Sequence, residues 1–367
     1  ILERYEFIQK FLKESKQFGA QRRATEAKVV AIALDNLARN AGYKDVTRLR
    51  WDMEARKMTE VIHYLEPVEI DDITAQLVID ENGKGDIKVI KNNKELKTIP
   101  SKLKKHAYIL ELKEVNKGLK EQYSRAKTEL ERSMELETPF TLQELSNMIK
   151  NPVVAPLVGK LVFKADDKIG FFSGEALQAP TGESFKLNSD NHITIVHPVH
   201  LYESGHWSDY QQYLFAQQIK QPFKQVFREL YRLNADEKAA GLESRRYAGH
   251  QIQPKKTIAL LKNRMWTVNY EEGLQKVYHK ENIIAKIYAM ADWFSPSDVE
   301  SPTLETVEFF DRNTHNSISL SNIPKIIFSE TMRDVDLVVS VAHVGGVDPE
   351  ASLTTIEMRA AIMQESL

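Results

Sequence analysis

Cysteine is absent from all 367 residues. Its absence excludes disulfides, thiol nucleophiles, iron–sulfur clusters and every zinc site that needs a thiolate. It also fits a reducing compartment without requiring one. No signal peptide is visible in the stretch from Ile1 to Lys10, which is charged and amphipathic rather than apolar, and targeting signals outside this segment stay open. Long hydrophobic runs are missing too: the longest, such as Val335 to Val341, are strand-sized and too short to span a bilayer. These absences lead us to expect a cytoplasmic chain with no membrane partner.

An excess of one charge sign is also lacking. Lys and Arg number 50 and Asp and Glu 52, a net charge of -2, which does not favour a generic polyanion binder but leaves room for a local basic face. No G-x-x-x-x-G-K-[ST] and no helix-opening G-x-G-x-x-G occurs; the nearest phrase, Ser173–Gly174 through Thr181–Gly182–Glu183, has neither the lysine nor a helix behind it. The G-x-S-x-G elbow is absent as well. No complete catalytic signature is present, and no cofactor is expected.

What remains is ordinary globular material, 42% hydrophobic and 28% charged, enough for two or three domains. The chain starts without methionine and stops inside a helical pattern, so we expect a segment of a larger bacterial-type protein. Leu2 to Leu49 reads as helical, with Phe7, Phe11 and Leu12 on one face, Val29, Ile32, Ala33, Leu37 and Ala38 on a second stripe, and Gly42 as a stop. Two β-prone runs, 75–79 and 86–90, flank Asn82–Gly83–Lys84–Gly85, a hairpin signal. The charged stretch from Lys102 to Leu136 predicts a long surface helix, with Glu121–Arg125 and Lys127–Glu131 spaced to pair. Thr141 and Glu144 have capping-box spacing. Strands are expected at 161–163, 170–172, 193–196 and 306–310, and helices at 207–219, 221–233, 257–263 and 353–367. Ile284 to Tyr288 suits either state, Ile323 to Ser329 reads as a strand or connector, and a helix starts after Glu330. The fold class is therefore α+β. A helix-rich region with a small hairpin insert near 73–100 fills 1–138, and a mixed α/β domain fills 139–367.

Three phrases carry candidate chemistry. His197, His200, Glu203 and His206 are metal-ligand residue types at a repeated spacing of three, but Pro198 and Gly205 oppose one continuous helix, and satisfied structural histidines are the plainer reading. From Asp209 to Trp266, 11 Lys and Arg face 5 Asp and Glu. Within it Lys224, Arg228 and Arg232 repeat every four residues, and Arg245 and Arg246 follow, so a helix there would present a basic face to nucleic acid or simply to solvent. Finally, Glu330, Arg333, Asp334 and Asp336 crowd between apolar runs. Charges in that setting either satisfy one another, bind a divalent metal, or act as acid and base; with His197 and Arg228 they make the one enzymatic constellation worth naming.

Several phrases together resemble the MolR-like bacterial proteins, which carry a domain of unknown function, number 4132, and often a WGR domain elsewhere. The residues are Arg22–Arg23 to Glu26, Leu49 to Glu54, Leu96 to Pro100, Leu130 to Met134, Asn151–Pro152, His197–Pro198 and Trp207. They continue with Gln221–Pro222–Phe223, Arg228, Tyr231, Arg246–Tyr247 to Gly249, and Ser329–Glu330 to Asp336–Leu337. His200, Glu203 and His206 lie outside that pattern. The resemblance brings no catalytic residues. It implies a setting beside a MoxR-like AAA ATPase and a von Willebrand factor A-type protein. We therefore expect a non-enzymatic interaction or scaffold module working with those two partners. The alternatives are a nucleic-acid-associated module using the basic face and, further off, an enzyme with a His/Arg/acidic site.

Overall fold

The computed structural model describes residues 1–269, 273–290 and 302–347, so the helix expected over 353–367 lies outside the described residues. The chain forms two compact units, Ile1–Phe227 and Arg228–Leu367. The boundary expected at 138/139 falls inside the first of them.

The first unit opens with three helices, α1 (Leu2–Glu14), α2 (Ala20–Asn40) and α3 (Val46–Val61). Tyr5, Val30, Leu34, Leu37, Ala38, Leu49 and Met53 make their shared core. The apolar stripes differ from those expected: Phe7, Val29 and Ile32 point outward, because Tyr5 and Ile8 on α1 and Val30 and Leu34 on α2 take the buried positions. Gly42 does end α2. At φ 80° it lets its own N–H reach Arg39 O and the next N–H, from Tyr43, reach Ala38 O, which closes the helix.

Strands β1 (Val68–Ile70), β2 (Ile73–Ile79), β3 (Gly85–Lys91) and β4 (Lys94–Glu95) form an antiparallel sheet in chain order. The β2–β3 turn is built as its residues predict. Asp80 accepts from the Asn82 and Lys84 N–H groups, and Gly83 takes φ 81°. Helix α4 (Ala107–Glu135) follows, 29 residues long. Ile109, Leu112 and Leu119 at its first half pack on this sheet, whereas Ala126, Leu130 and Met134 at its second half belong to the next core. Arg125 does not pair with Glu121 as its spacing suggests but forks onto the buried Glu54 of α3, at 2.8 and 3.0 Å.

Helix α5 (Leu142–Met148) carries the expected capping box of Thr141 and Glu144, and α6 (Ala155–Gly159) leads into the second sheet. That sheet comprises β5 (Val162–Ala165), β6 (Lys168–Phe172), β7 (Ala176–Gln178), β8 (Ser184–Lys186) and β9 (Ile193–Ile195), antiparallel in the order β8-β7-β6-β5-β9. Helices α7 (Pro198–Ser204) and α8 (Trp207–Ala216) complete the unit.

The helix expected over 221–233 does not form. Two glutamines tie the segment down instead. Gln221 accepts from Val226 N–H, and the fully buried Gln225 accepts from Val162 N–H and donates to Val162 O and Val196 O, which fixes the segment onto β5 and the end of β9.

The second unit contains α9 (Ala235–Ala240), β10 (Glu243–Ser244), β11 (His250–Ile252), α10 (Pro254–Lys262), β12 (Trp266–Asn269), β13 (Gly273–Tyr278), β14 (Ile283–Met290), β15 (Thr303–Asp311), α11 (Lys325–Ala342) and β16 (His343–Val347). Its sheet runs β12-β13-β14-β15-β11-β16, with β10 also paired to β15. The run Ile326–Ile327–Phe328, read as strand or connector, lies in the first turn of α11. Short apolar runs do not separate a strand from a helix buried on most sides. Eleven of the eighteen α11 residues are buried, including Ser329, Glu330, Thr331 and Asp334. The described chain is α+β throughout, and none of its helices is long and apolar enough to cross a membrane.

Candidate functional site

The inner face of the second unit's sheet places one charge among apolar side chains. Strand β13 alternates, burying Leu274, Lys276 and Tyr278 on one side. Lys276 stands between its cross-strand partners Trp266 and Ala285, and Ala285 pairs in turn with Phe309. All four are nearly inaccessible, and Phe309 packs against Phe328 of α11. A lysine in that row requires a carboxylate, and α11 supplies it.

Glu330 and Asp334 are one helical turn apart on α11 and therefore share a face. Arg228 grips Glu330 with two parallel bonds, Nε to Oε1 at 2.7 Å and a terminal nitrogen to Oε2 at 2.6 Å. Asp334 Oδ2 accepts from Lys276 Nζ at 3.0 Å and from the Trp266 indole N–H at 2.8 Å. Its Oδ1 accepts from Arg264 Nε, and Arg264 also comes within 4.0 Å of Glu330, joining the two clusters. The side chains of Arg228, Glu330, Lys276 and Asp334 are each exposed by 1% or less. Isolated charges would be severely destabilising there, so the bidentate and shared geometry is what makes their burial tolerable.

Neutral polar groups extend the network. Tyr278 lies 3.3 Å from the Thr331 hydroxyl, and burial pushes its pKa up to about 12. Ser329 Oγ accepts from the Tyr231 N–H. Tyr247 donates to Asp336 at 3.0 Å, and burial followed by the charge of Asp336 holds the Tyr231 hydroxyl well above the ordinary phenol range; Tyr247 is raised further. Arg333 pairs with Glu229 at 3.1 Å.

The candidate residues thus separate. Arg228, Glu330, Asp334, Arg333 and Asp336 all lie in this unit, on or beside α11. His197 belongs to the first unit, where its ring accepts from the Val199 N–H while the His200 ring accepts from the His197 N–H. Those two bonds cap α7, whose first residue is Pro198 and whose end is the left-handed Gly205. The three-residue spacing of these histidines is therefore the spacing of a reciprocal helix cap. His200 also meets Glu137 at 3.2 Å, and His206 meets Asp209 at 2.9 Å. Among the described residues no three His, Asp or Glu side chains converge as metal ligands. We expect His197→Ala to cost about 1 kcal/mol in urea denaturation and His197→Asn to recover part of it, because asparagine also caps helices. A metal ligand would show no such rescue.

The basic candidates separate as well. With no helix at 221–233, the four-residue spacing of Lys224, Arg228 and Arg232 puts them on no common helical face. Arg228 is buried in the network, and Arg246 binds the buried Glu237 and the Arg232 carbonyl, both at 2.6 Å. Lys224, Arg232 and Arg245 are exposed.

Sequence reasoning missed Lys276 and Tyr278, and it counted Arg264 and Trp266 only within the basic stretch from Asp209 to Trp266. The signal was present in the alternation Leu274–Lys276–Tyr278, which sets the lysine in phase with two inward residues.

Residues 94–266 match the family model of a domain of unknown function, DUF4132. The match covers a little under half of the chain. The DUF4132 region holds Arg228, Arg264 and Trp266, while Lys276, Glu330 and Asp334 lie beyond it. Residues 1–53, which form α1, α2 and the start of α3, match a separate family of unknown function, DUF5724. No curated protein and no solved structure matches the chain.

Proposed function

We propose that the chain is a non-enzymatic interaction module that works with a MoxR-like AAA ATPase and a von Willebrand A-type protein. The observation that carries this reading is the use made of the charges on α11. Glu330 and Asp334, the acids best placed for catalysis in sequence, spend their oxygens on Arg228, Arg264, Lys276 and Trp266 at the centre of a packed unit. Such a network fixes the position of one helix on one sheet and presents neither carboxylate to an incoming substrate. The choice of partners rests on the resemblance to MolR-like proteins. Exposed aromatics such as Phe7 and Phe215, 71% and 84% accessible, are suitable anchors for a protein surface.

The test is reconstitution. The full-length protein is mixed with the purified ATPase and A-domain protein encoded beside it, with ATP or ADP, and the mass of each complex is read by light scattering after gel filtration. Co-elution in at least one nucleotide state is the expected result. Elution of the protein at its own mass in every mixture would overturn the reading.

A further inference from the structure

The strongest unassigned feature lies in the first unit. Residues 84–120 contain eleven lysines, no arginine and four acids (Asp86, Glu95, Glu111 and Glu114), an excess of seven positive charges in a chain whose net charge is -2. The fold gathers them, since this stretch is β3, β4 and the first half of α4, and α4 packs on β3. Some are neutralised locally: Lys91 and Lys102 both bind Asp72, at 2.6 and 2.7 Å, and Lys88 binds Glu95 at 3.0 Å.

Others line a groove. Between α4 and β3 lies an open cavity of about 350 Å³, walled by Lys113, Lys117, Lys120 and Ser124 on the helix and Ile87 on the strand, with Glu121 beside them. The spacings of four, three and four residues hold those helix side chains on one face. Lys113 donates to the Lys104 carbonyl at 3.2 Å; Lys117 and Lys120 are exposed and, among the described residues, make no hydrogen bond or ion pair. Asn116, also lining the groove, is buried, and its Oδ1 accepts no hydrogen bond. A concave track edged by a row of cations suits a narrow polyanionic chain better than a flat bilayer.

We infer that the groove between α4 and β3 binds the sugar–phosphate backbone of a single-stranded nucleic acid, without reading its sequence. The lysines from residue 113 to residue 120 span about 10.5 Å at 1.5 Å per residue, and the charge continues past the groove, beyond the reach of a single phosphate. The absence of arginine from the stretch bears on sequence reading alone: the fork most often used on guanine is missing, while the lysines still offer compact charges to phosphate. This site is separate from the basic residues of 224–246, and the inference stands apart from the choice of protein partners.

The test is fluorescence anisotropy of a labelled 20-nucleotide mixed-sequence single-stranded DNA titrated with the full-length protein. Three phosphate contacts give a log–log salt slope of about -2, so the Kd should rise about 20-fold between 50 and 200 mM salt. Lys113→Gln/Lys117→Gln/Lys120→Gln should weaken binding at least tenfold and flatten that slope, with an unchanged circular dichroism spectrum. The pair Lys117→Gln/Lys120→Gln, which keeps the Lys113 bond, should show most of the loss. A control pair on α1 and α2, Lys10→Gln/Lys28→Gln, should bind like the parent. A parent that does not bind, a groove variant that binds like the control, or phosphatidylserine vesicles that capture the parent and displace the DNA would each overturn the inference.

Discussion

Glu330→Ala should lower the unfolding free energy by about 3–5 kcal/mol, the usual cost of removing one partner from a buried ion pair. Most of that cost comes from what is left behind. The Arg228 guanidinium, 0% exposed, would lose both of its bonds to the carboxylate and stay enclosed by packed side chains. Urea titration followed by circular dichroism measures the loss. The informative companion is Arg228→Met with Glu330→Leu. It removes both charges and refills their volume, and it should lie within about 2 kcal/mol of the parent, because buried pairs exchanged for apolar groups are often neutral. If the network is structural, this double variant also keeps whatever partner binding the parent has. A double variant as unstable as Glu330→Ala would mean that the pair is not the element holding α11 in place.

Asp334→Ala should cost a similar amount, about 3–5 kcal/mol, with a pH dependence that Glu330→Ala lacks. Asp334 serves Lys276, Arg264 and the Trp266 indole at once. Removing it leaves the Lys276 ammonium buried without this carboxylate, and burial then drives the lysine pKa below its unfolded value of about 10.4. Between the two values the folded variant binds fewer protons than the unfolded chain, so its stability rises with pH across that window. The defect should therefore be deepest near neutral pH and shrink toward pH 10, whereas an arginine deprived of this carboxylate, as in Glu330→Ala, stays charged throughout. Trp266 is a local reporter, since its N–H loses an acceptor and its emission should shift. A defect of equal size at pH 7 and pH 10 would show that Lys276 does not depend on Asp334.

The parts of the structure legible in sequence were those fixed by local chemistry. Asn82–Gly83–Lys84–Gly85 placed its turn, Thr141 and Glu144 their capping box, and Gly42 its stop. The acids of α11 were also legible as anomalies, charges set inside apolar runs. What escaped was decided by distant partners. Gln225 ties its segment across to β5 and the end of β9 while Gln221 takes the Val226 N–H, and no pattern within 221–233 announces those partners. Ile326–Ile327–Phe328 is β-branched and apolar, suited to a strand, yet sits in a helix enclosed on most of its surface. Arg228 and Glu330, 102 residues apart, could be named as candidates but not as mutual partners.

One further consequence belongs to α4. The same rod supplies a wall to two cores, Leu112 and Leu119 to the four-stranded sheet, Leu130 and Met134 to the five-stranded one. Neither sheet can be excised as a self-sufficient piece. A fragment begun at 139 would retain every strand of the second sheet and strip Ala126, Leu130 and Met134 from the core that Phe163, Leu177 and Ile195 share. The boundary expected at 138/139 thus falls beside a helix that serves both cores, and the first unit folds, or fails, around a common beam.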